Sequence, residues 1–366
     1  MAAGDVPAVV AAVADRDALL YLGAFGKRTV SGGEAVTPDA IFRIASMTKP
    51  VTSLAVLMLC DEGRIALDDP VARYVPELRD PRVLTGFNEA DTTYDVRPAA
   101  RPITIRDLLT HTSGIAYAFF HPVLSRLMAA GMAEADMPLA HDPGTRWTYG
   151  PGTVVLGRVV ERASGQPLDT FCRARIFEPL GMADTDYRVP DSNRNRVVTQ
   201  HQRHANGALV ERPNPATIAS RGRGDDGLFS TARDYIAFVQ LLLNGGRRNG
   251  RQLLREETVR AMAANQIGGL GINAVAADPM IVARPFPFGA AKDKFGLGFQ
   301  IETPPSEPGM RKPGSLSWAG IFNTFFWIDP RDAIAVVVLM QLLPALDEKA
   351  VGILQGVERL VYRHAV

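Results

Sequence analysis

The sequence predicts an α+β (α/β) fold in which an antiparallel sheet is flanked by helices and a mostly helical lobe is inserted. Two observations predict it. Alternating or β-branched apolar segments, typical of strands, lie near both ends of the chain, whereas the long middle has mostly helical spacing. We therefore expect residues 1–78 and 290–366 to form one α/β lobe and residues 79–289 to form the helical lobe. The active site would lie in the crevice between them.

Composition narrows the class of protein. A chain of 366 residues with 46% hydrophobic content can bury a large core. Its 40 basic and 39 acidic side chains give a net charge of +1, and no basic run indicates binding to nucleic acid or to an anionic membrane surface. Two cysteines cannot form a disulfide framework. The first residues lack a signal-peptide pattern and no apolar run approaches a membrane span of ~20 residues, so we expect a cytoplasmic protein.

The amino-terminal segments read as a hairpin followed by a buried helix. Residues 8–14 and 18–23 are apolar on both sides of a polar turn, and a second turn follows at residues 31–33. Residues 51–60 are almost wholly apolar and precede Gly63, which fits a buried helix that ends at a glycine. Pro50 would lie in its first turn, where a missing N–H is harmless.

Ser46 and Lys49 lie just before this helix, three residues apart. Residues at this spacing share a helix face, so the hydroxyl and the amine would point the same way. Serine must pass its proton to a base as it attacks a carbonyl, and a lysine can be that base when burial lowers its pKa. The spacing therefore fits a nucleophile and its base, although an N-cap serine beside a solvated lysine fits it too.

The first half of the middle region holds aromatic candidates. By composition, residues 80–101 are a surface loop, and a helix begins after Thr104 as N-cap. Tyr117 and Phe120 precede a helical stretch at residues 122–133 and would either line an acyl pocket or pack in the core.

Tyr149 lies in a turn over residues 147–152, before a helical pattern over residues 153–163. A tyrosine can act as a second general base when a cation lowers its pKa, although taken alone this one would be structural.

The rest of the middle region holds amphipathic segments, a polar loop and one pair of histidines. Residues 168–176 and 232–243 are amphipathic, and residues 191–223 read as a polar loop. His201 and His204 have an H-x-x-H spacing, but no helical pattern or carboxylate supports a metal site, so we expect solvated loop histidines.

The carboxyl-terminal quarter predicts strands. Residues 295–301, 321–328 and 333–340 are alternating or β-branched, and a turn at residues 329–332 joins the last two as a hairpin. A final helix is expected from residue 345 to residue 363.

Three motifs in order carry a family resemblance over almost the whole chain: Ser46-x-x-Lys49, Tyr149, and Trp318-Ala319-Gly320 before a strand. They resemble those of the serine β-lactamase and penicillin-binding-protein superfamily. Four further segments are similar to those of the same superfamily, at residues 42–49, 108–114, 178–182 and 226–231. The class C β-lactamase-like branch, and within it the family VIII carboxylesterases, is the most similar.

The resemblance implies a β-lactamase-like fold and a role for each matching residue. Ser46 would be the acylated nucleophile, Lys49 its base, and Tyr149 the group that shuttles a proton to the leaving group. The oxyanion hole would be the main-chain N–H groups of Ser46 and of Ile321, on an edge strand after Gly320. No metal or cofactor is implied.

Two departures from class C β-lactamases favour a neutral ester substrate. Pro151 replaces an asparagine, and Trp318-Ala319-Gly320 replaces a Lys-Thr-Gly motif whose lysine would bind a carboxylate. Trp318 would offer a flat apolar wall, with Ala319 and Gly320 beside it, so a Trp318→Lys change should favour anionic substrates.

We therefore expect a serine carboxylesterase that acts on small, short-chain esters. The alternatives are a β-lactamase or DD-peptidase, an acyltransferase or small-amide hydrolase, and a catalytically inactive binding protein. An α/β-hydrolase esterase is excluded because the chain has no G-x-S-x-G motif.

Overall fold

The computed structural model describes residues 5–220, 222–275, 281–305 and 309–364. The predicted terminal lobe, the predicted inserted lobe and the predicted loop at residues 191–223 each include positions outside these ranges.

Strands and helices alternate irregularly along the chain. The strands are β1 (Ala8–Ala14), β2 (Leu19–Gly26), β3 (Phe42–Arg43), β4 (Arg82–Phe87), β5 (Tyr94–Pro98), β6 (Gln200–Arg203), β7 (Leu209–Arg212), β8 (Phe229–Ser230), β9 (Arg247–Arg248), β10 (Arg251–Gln252), β11 (Lys294–Phe295), β12 (Gln300–Ile301), β13 (Leu316–Gly320), β14 (Thr324–Asp329), β15 (Ile334–Leu339) and β16 (Leu342–Leu343). The α-helices are α1 (Thr48–Asp61), α2 (Ile105–Leu109), α3 (Pro122–Ala129), α4 (Gly152–Ser164), α5 (Leu168–Cys172), α6 (Glu178–Leu180), α7 (Ala232–Leu243), α8 (Glu256–Met262) and α9 (Glu348–His364).

The main sheet joins the two ends of the chain and confirms the α+β class. Within the described residues it has seven antiparallel strands in the order β11-β12-β13-β14-β15-β1-β2. Every residue of β1 is buried, because α7 packs against one face of the sheet and α9 against the other. That explains why β1 is a continuous apolar run rather than an alternating one. The boundaries of the two lobes stay a prediction.

Helix α1 is apolar on all sides and is buried over residues 48–59. A helix of this kind belongs inside a core, and it carries whatever polar residue it contains into the interior. Lys49, in its first turn, is therefore only 2% exposed. The predicted helix, with Pro50 in the first turn and Gly63 just after its end, is confirmed.

A close main-chain contact fixes the sheet beside the start of α1. A Cβ on Gly320 would lie 2.3 Å from the carbonyl oxygen of Ile44, so only glycine fits there. The Thr324 hydroxyl donates to the same oxygen at 3.2 Å. The end of β13 is thereby held against the turn that carries Ser46.

Two predicted loops are wrong. Residues 80–101 contain the hairpin of β4 and β5, whose polar composition reflects a hairpin exposed on the surface. Residues 191–223 contain β6 and β7, and β6 also pairs in parallel with β16.

The prediction that both histidines of this segment are solvated is wrong for His201. His201 lies on β6 and is fully buried, whereas His204 is exposed in the following turn as expected. No ring nitrogen of His201 has a hydrogen-bond partner within the described residues, and its Nε2 lies 3.8 Å from a Glu211 carboxylate oxygen. Burial lowers the pKa of His201 below its usual value, so its ring stays neutral.

The carboxyl-terminal strands differ from the prediction in two places. Residues 295–301 form two short strands, β11 and β12, because a turn at residues 296–298 reverses the chain. Ile321 lies in the turn between β13 and β14 rather than on a strand, and Asn323 in that turn has a φ of 59°. The hairpin of β14 and β15 and the final helix are confirmed, with α9 starting three residues later than expected.

The helices predicted for the middle region are present, and one of them is shorter than predicted. Thr104 caps α2 through a capping box with Asp107, α4 ends at Gly165 in the left-handed conformation, and α7 matches its predicted bounds. The stretch predicted for residues 122–133 ends early, at Ala129. In the described parts of the chain, no helix is both long and apolar enough to cross a membrane.

Candidate active site

Ser46 lies on a short 3-10 turn, Ala45–Met47, that leads directly into α1. Ala45 has a φ of 45°, an uncommon value for a residue with a side chain. Strained backbone of this kind persists where the surrounding structure enforces it, and here the packing of β13 against Ile44 does so. The turn places the Ser46 side chain at the surface of a cavity rather than in the core.

Lys49 is brought beside Ser46 as the sequence spacing predicts. Its Nζ lies 3.0 Å from Ser46 Oγ. It also donates to the Tyr117 hydroxyl at 2.9 Å and to the main-chain carbonyl of Asp225 at 2.9 Å. Lys49 is thus held by three oxygens inside the protein, and the solvated-lysine alternative is excluded.

Tyr149 completes the group. Its hydroxyl donates to Ser46 Oγ at 2.8 Å, and its ring is 6% exposed. Lys49 Nζ lies 5.1 Å from the ring centroid, so the cation also faces the ring. Ser46 Oγ therefore has the amine on one side and the phenol on the other.

Tyr117 and Asp225 extend this group beyond what the sequence indicated. Tyr117 lines the cavity as expected, but its hydroxyl also donates to Asp225 Oδ2 at 2.6 Å. Burial, followed by the nearby Tyr149 and Asp225, raises the pKa of Tyr117 well above 10, so it stays protonated. No sequence pattern marked Asp225, which lies immediately before the similar segment at residues 226–231.

His111 packs against the ring of Tyr149. Its ring makes edge contacts with Trp147, Tyr149 and Phe295, at centroid distances of 5.8, 5.2 and 5.3 Å. Burial, and then the nearby Lys49 charge, lower its pKa from 6.5 to about 3. The imidazole therefore stays neutral and acts as an aromatic support for Tyr149.

A cavity of about 380 Å³ opens at Ser46. Its walls are largely apolar, with charged side chains along one side. It is lined by Ala45, Ser46, Tyr117, Ala118, Phe119, Phe120, Met128, Glu134, Tyr149, Arg223, Asp225, Asp226, Val282, Phe286, Ala319, Gly320, Ile321, Ala345 and Leu346. This volume falls in the range of small-molecule sites.

The predicted substrate-binding residues divide into two groups. Tyr117, Phe120, Ala319 and Gly320 line the cavity, but Trp318 does not. Trp318 is 4% exposed and points into the core on the opposite face of β13 from Ala319. It cannot act as the flat wall that the sequence suggested, because strand alternation turns its ring away.

The two residues predicted to supply the oxyanion donors both line the cavity. Ser46 lines it from the 3-10 turn before α1, and Ile321 lines it from the turn after β13. Within the described residues, β12 pairs with β13 at Leu316 and Ser317, whereas Ala319 and Gly320 line the cavity. The pairing of these two N–H groups on one substrate oxygen stays a prediction.

A metal centre has no support in the described ranges. Among those residues, no three His, Cys, Asp or Glu side chains are grouped so that they could hold an ion.

Comparison with known proteins assigns the family. A family model described as Beta-lactamase matches residues 1–356. The chain belongs to the beta-lactamase family. That family assignment agrees with the resemblance carried by Ser46, Lys49 and Tyr149.

The proteins to which this chain is similar include both a hydrolase and transferases. Lovastatin esterase of Penicillium rubens is 31% identical, over 98% of this chain and 93% of that protein. ML-236A carboxylate methylbutanoyltransferase mlcH of Penicillium citrinum is also 31% identical, over 93% of this chain and 86% of that protein. Simvastatin synthase (LovD) of Aspergillus terreus superposes with a TM-score of 0.86 at 28% identity, covering 98% of this chain and 94% of that one.

Proposed function

We propose that this chain is a serine carboxylesterase of the family VIII type, which hydrolyses small, short-chain esters through an acyl group on Ser46. The observation that carries the proposal is the placement of Ser46 Oγ between Lys49 Nζ at 3.0 Å and Tyr149 Oη at 2.8 Å, at the wall of an apolar cavity. A nucleophile, a base and a proton donor in mutual contact are what acyl transfer requires.

In the acylation step, Ser46 Oγ attacks the ester carbonyl carbon and passes its proton to Lys49. Negative charge develops on the carbonyl oxygen, where the N–H groups of Ser46 and Ile321 would donate. Each such donor contributes roughly 3 to 4 kcal/mol to lowering the barrier. Tyr149 gives its proton to the departing alcohol oxygen as the ester bond breaks, which leaves acyl-Ser46 and the free alcohol.

In the deacylation step, water attacks the acyl carbon and returns a proton to Tyr149. Ser46 Oγ departs and takes back the proton held by Lys49. Both groups end the cycle in their starting state, so proton transfer is complete without any added acid or base.

The lining of the cavity favours an uncharged acyl group. Phe120, Val282 and Leu346 give it apolar walls, and a volume of about 380 Å³ suits a short chain better than a large one. The cation that binds a carboxylate in the Lys-Thr-Gly motif has no counterpart at Trp318, whose ring is buried. A neutral ester therefore fits the site better than an anionic β-lactam.

A second candidate is transfer of the acyl group to an alcohol instead of water. It is favoured by the equal 31% identity of an esterase and of a methylbutanoyltransferase to this chain. Both activities use the same acyl-Ser46, and they differ only in which hydroxyl attacks it.

The test is parallel turnover of p-nitrophenyl acetate, butyrate and octanoate beside nitrocefin, with and without an alcohol acceptor. Intact-mass measurement of the acyl-enzyme accompanies it in the wild type, in Ser46→Ala and in Ser192→Ala, a matched control at an exposed serine outside the cavity. We expect ester turnover and a mass adduct in the wild type and in Ser192→Ala, and neither in Ser46→Ala.

Each other result points to a different function. Undiminished esterase turnover in Ser46→Ala would overturn the site, and dominant nitrocefin turnover would overturn the substrate class. A new ester formed faster than free acid would favour the transferase. No adduct with any substrate would favour a binding protein.

A further inference from the structure

The proposed mechanism leaves one buried carboxylate next to the base without a role. Asp225 has a 3% exposed side chain and is joined to Lys49 both directly and through Tyr117. Its main-chain carbonyl accepts from Lys49 Nζ at 2.9 Å, and its Oδ2 accepts from the Tyr117 hydroxyl at 2.6 Å. Tyr117 in turn accepts from Lys49 Nζ at 2.9 Å.

Arg223 holds this carboxylate in place and charged. Its Nε donates to Asp225 Oδ1 at 3.0 Å and its Nη2 lies 3.4 Å from Oδ2. Burial would raise the pKa of Asp225, but the Lys49 charge and the hydrogen bonds from Arg223 and Tyr117 lower it below its usual value. An ionised carboxylate only accepts hydrogen bonds, so Tyr117 must be the donor in their contact.

The hydrogen-bonding capacity of Lys49 then fixes its orientation. In the neutral form that acts as a base, its amine has two N–H bonds and one lone pair. The main-chain carbonyl of Asp225 can only accept a hydrogen bond. The Tyr117 hydroxyl donates its own hydrogen to the Asp225 carboxylate, so toward Lys49 it can only accept as well. These two oxygens take both N–H bonds, so the lone pair faces the remaining neighbour, Ser46 Oγ at 3.0 Å.

We propose that Asp225 is a positioning residue that, through Tyr117, aims the lone pair of Lys49 at the Ser46 hydroxyl. The inference rests on the proposed function, since it needs Lys49 to act as the base. After Lys49 takes the proton, its three N–H bonds match the three oxygens around it. Lys49 can therefore accept and release the proton without rearrangement of the residues around it.

The substitution Asp225→Asn reverses the direction of this chain of hydrogen bonds. Arg223 has only donors, so the new amide turns its oxygen toward Arg223 and its NH₂ group toward Tyr117. Tyr117 must then accept from the amide and donate to Lys49, which draws the lone pair away from Ser46. We expect the acylation rate with p-nitrophenyl butyrate to fall about 10²-fold, the scale of general base catalysis, while KM changes little.

A double-mutant cycle with Tyr117→Phe separates this role from a structural one. If Asp225 acts through Tyr117, adding Asp225→Asn to Tyr117→Phe causes no further loss in the acylation rate. An equal loss in both backgrounds would overturn the inference, as would a wild-type rate in Asp225→Asn. Asp234→Asn is the matched control, because Asp234 is also a buried carboxylate but lies outside the cavity.

Two further measurements keep the outcome decisive. If thermal unfolding shows that Asp225→Asn does not fold, Tyr117→Phe alone decides, since a wild-type acylation rate in that variant would overturn the inference. The wild type is measured first. Acylation of Ser46 in the wild type with no change in Asp225→Asn contradicts only this inference, whereas no acylation in the wild type contradicts the proposed function itself.

Discussion

The Tyr149 hydroxyl lies 2.8 Å from Ser46 Oγ, although 103 positions separate the two residues in the chain. Ser46 is held on the 3-10 turn before α1, and Tyr149 on the irregular segment before α4. These two helices pack against each other in the core, so the contact between the two hydroxyls depends on the packing of their helices.

Replacing Tyr149 by Phe removes this hydrogen bond and keeps the ring. The ring packs on Phe286 and Trp318 at centroid distances of 5.4 and 5.2 Å, so we expect the melting temperature to change little. The proposed proton donor to the leaving alcohol is lost, and kcat/KM for ethyl butyrate, whose alcohol is a poor leaving group, should fall about 10²- to 10⁴-fold. A much smaller loss with p-nitrophenyl butyrate, whose phenolate leaves without a proton, supports this role, and an unchanged kcat/KM for ethyl butyrate contradicts it.

The sequence predicted the parts of the site that depend on local spacing or on the family resemblance. Ser46 and Lys49 share a turn, so three positions of separation already place their side chains together. Tyr149 was assigned by resemblance, because no local rule joins it to Ser46. The terminal strands follow from their apolar, alternating or β-branched segments, but the β4–β5 hairpin does not, since its exposed strands carry a polar pattern.

What the sequence could not show is side-chain direction and distant pairing. Asp225 is 108 positions from Tyr117 and 176 from Lys49, and nothing in its own segment marks the contact. Trp318 follows the strand alternation of β13, yet the sequence does not say which face of that strand meets the cavity. Packing of the whole sheet decides it.

Trp318→Lys is expected to destabilise the protein rather than to change its substrate. Trp318 lies among the rings of Tyr149, Phe286 and Phe295, at centroid distances of 5.2, 5.2 and 5.5 Å. An ammonium there would be buried without a counter-ion, which costs about 3–5 kcal/mol in free energy of unfolding. Urea unfolding measures the loss.

Trp318→Phe is the control, since it keeps an aromatic ring and removes only part of the volume. We expect it to lose far less stability than Trp318→Lys. A stable Trp318→Lys enzyme that prefers anionic esters over neutral ones would show that the ring reaches the substrate after all.

Phe120→Ala should shift the acyl-chain preference. The Phe120 ring lines the cavity beside Tyr149, with centroids 6.4 Å apart, so its removal lengthens the apolar space next to Ser46. Each additional buried CH₂ group contributes about 0.8 kcal/mol, and two such groups give about a tenfold gain. We expect the ratio of kcat/KM for octanoate to that for acetate to rise about tenfold.

The control for this change is Phe25→Ala, a phenylalanine on β2 that is 48% exposed and does not line the cavity. In Phe25→Ala, the ratio of kcat/KM for octanoate to that for acetate should match the wild-type ratio. A ratio that stays constant in Phe120→Ala as well would place the acyl chain along another wall.

Asp234→Asn should change the pH dependence of stability. Burial, and then the nearby Asp184 charge, raise the pKa of Asp234 from 3.8 to about 6, against the hydrogen bonds that it accepts from the Asp184 N–H at 2.8 Å and from Thr185 at 3.0 Å. The folded protein therefore holds this proton more tightly than the unfolded chain. Its contribution to stability is full below pH 4 and is lost as the pH rises through about 6.

An asparagine at this position has no charge to lose, so its stability lacks that decline. We expect the free energy of unfolding of Asp234→Asn, minus that of the wild type, to increase by on the order of 1–3 kcal/mol from pH 4 to pH 7 and then to stay constant. Urea unfolding at half-unit pH intervals measures it, with Asp17→Asn as an exposed control. A difference that is independent of pH would mean that Asp234 is ionised in the folded state throughout this range, with the Asp184 and Thr185 hydrogen bonds outweighing its burial.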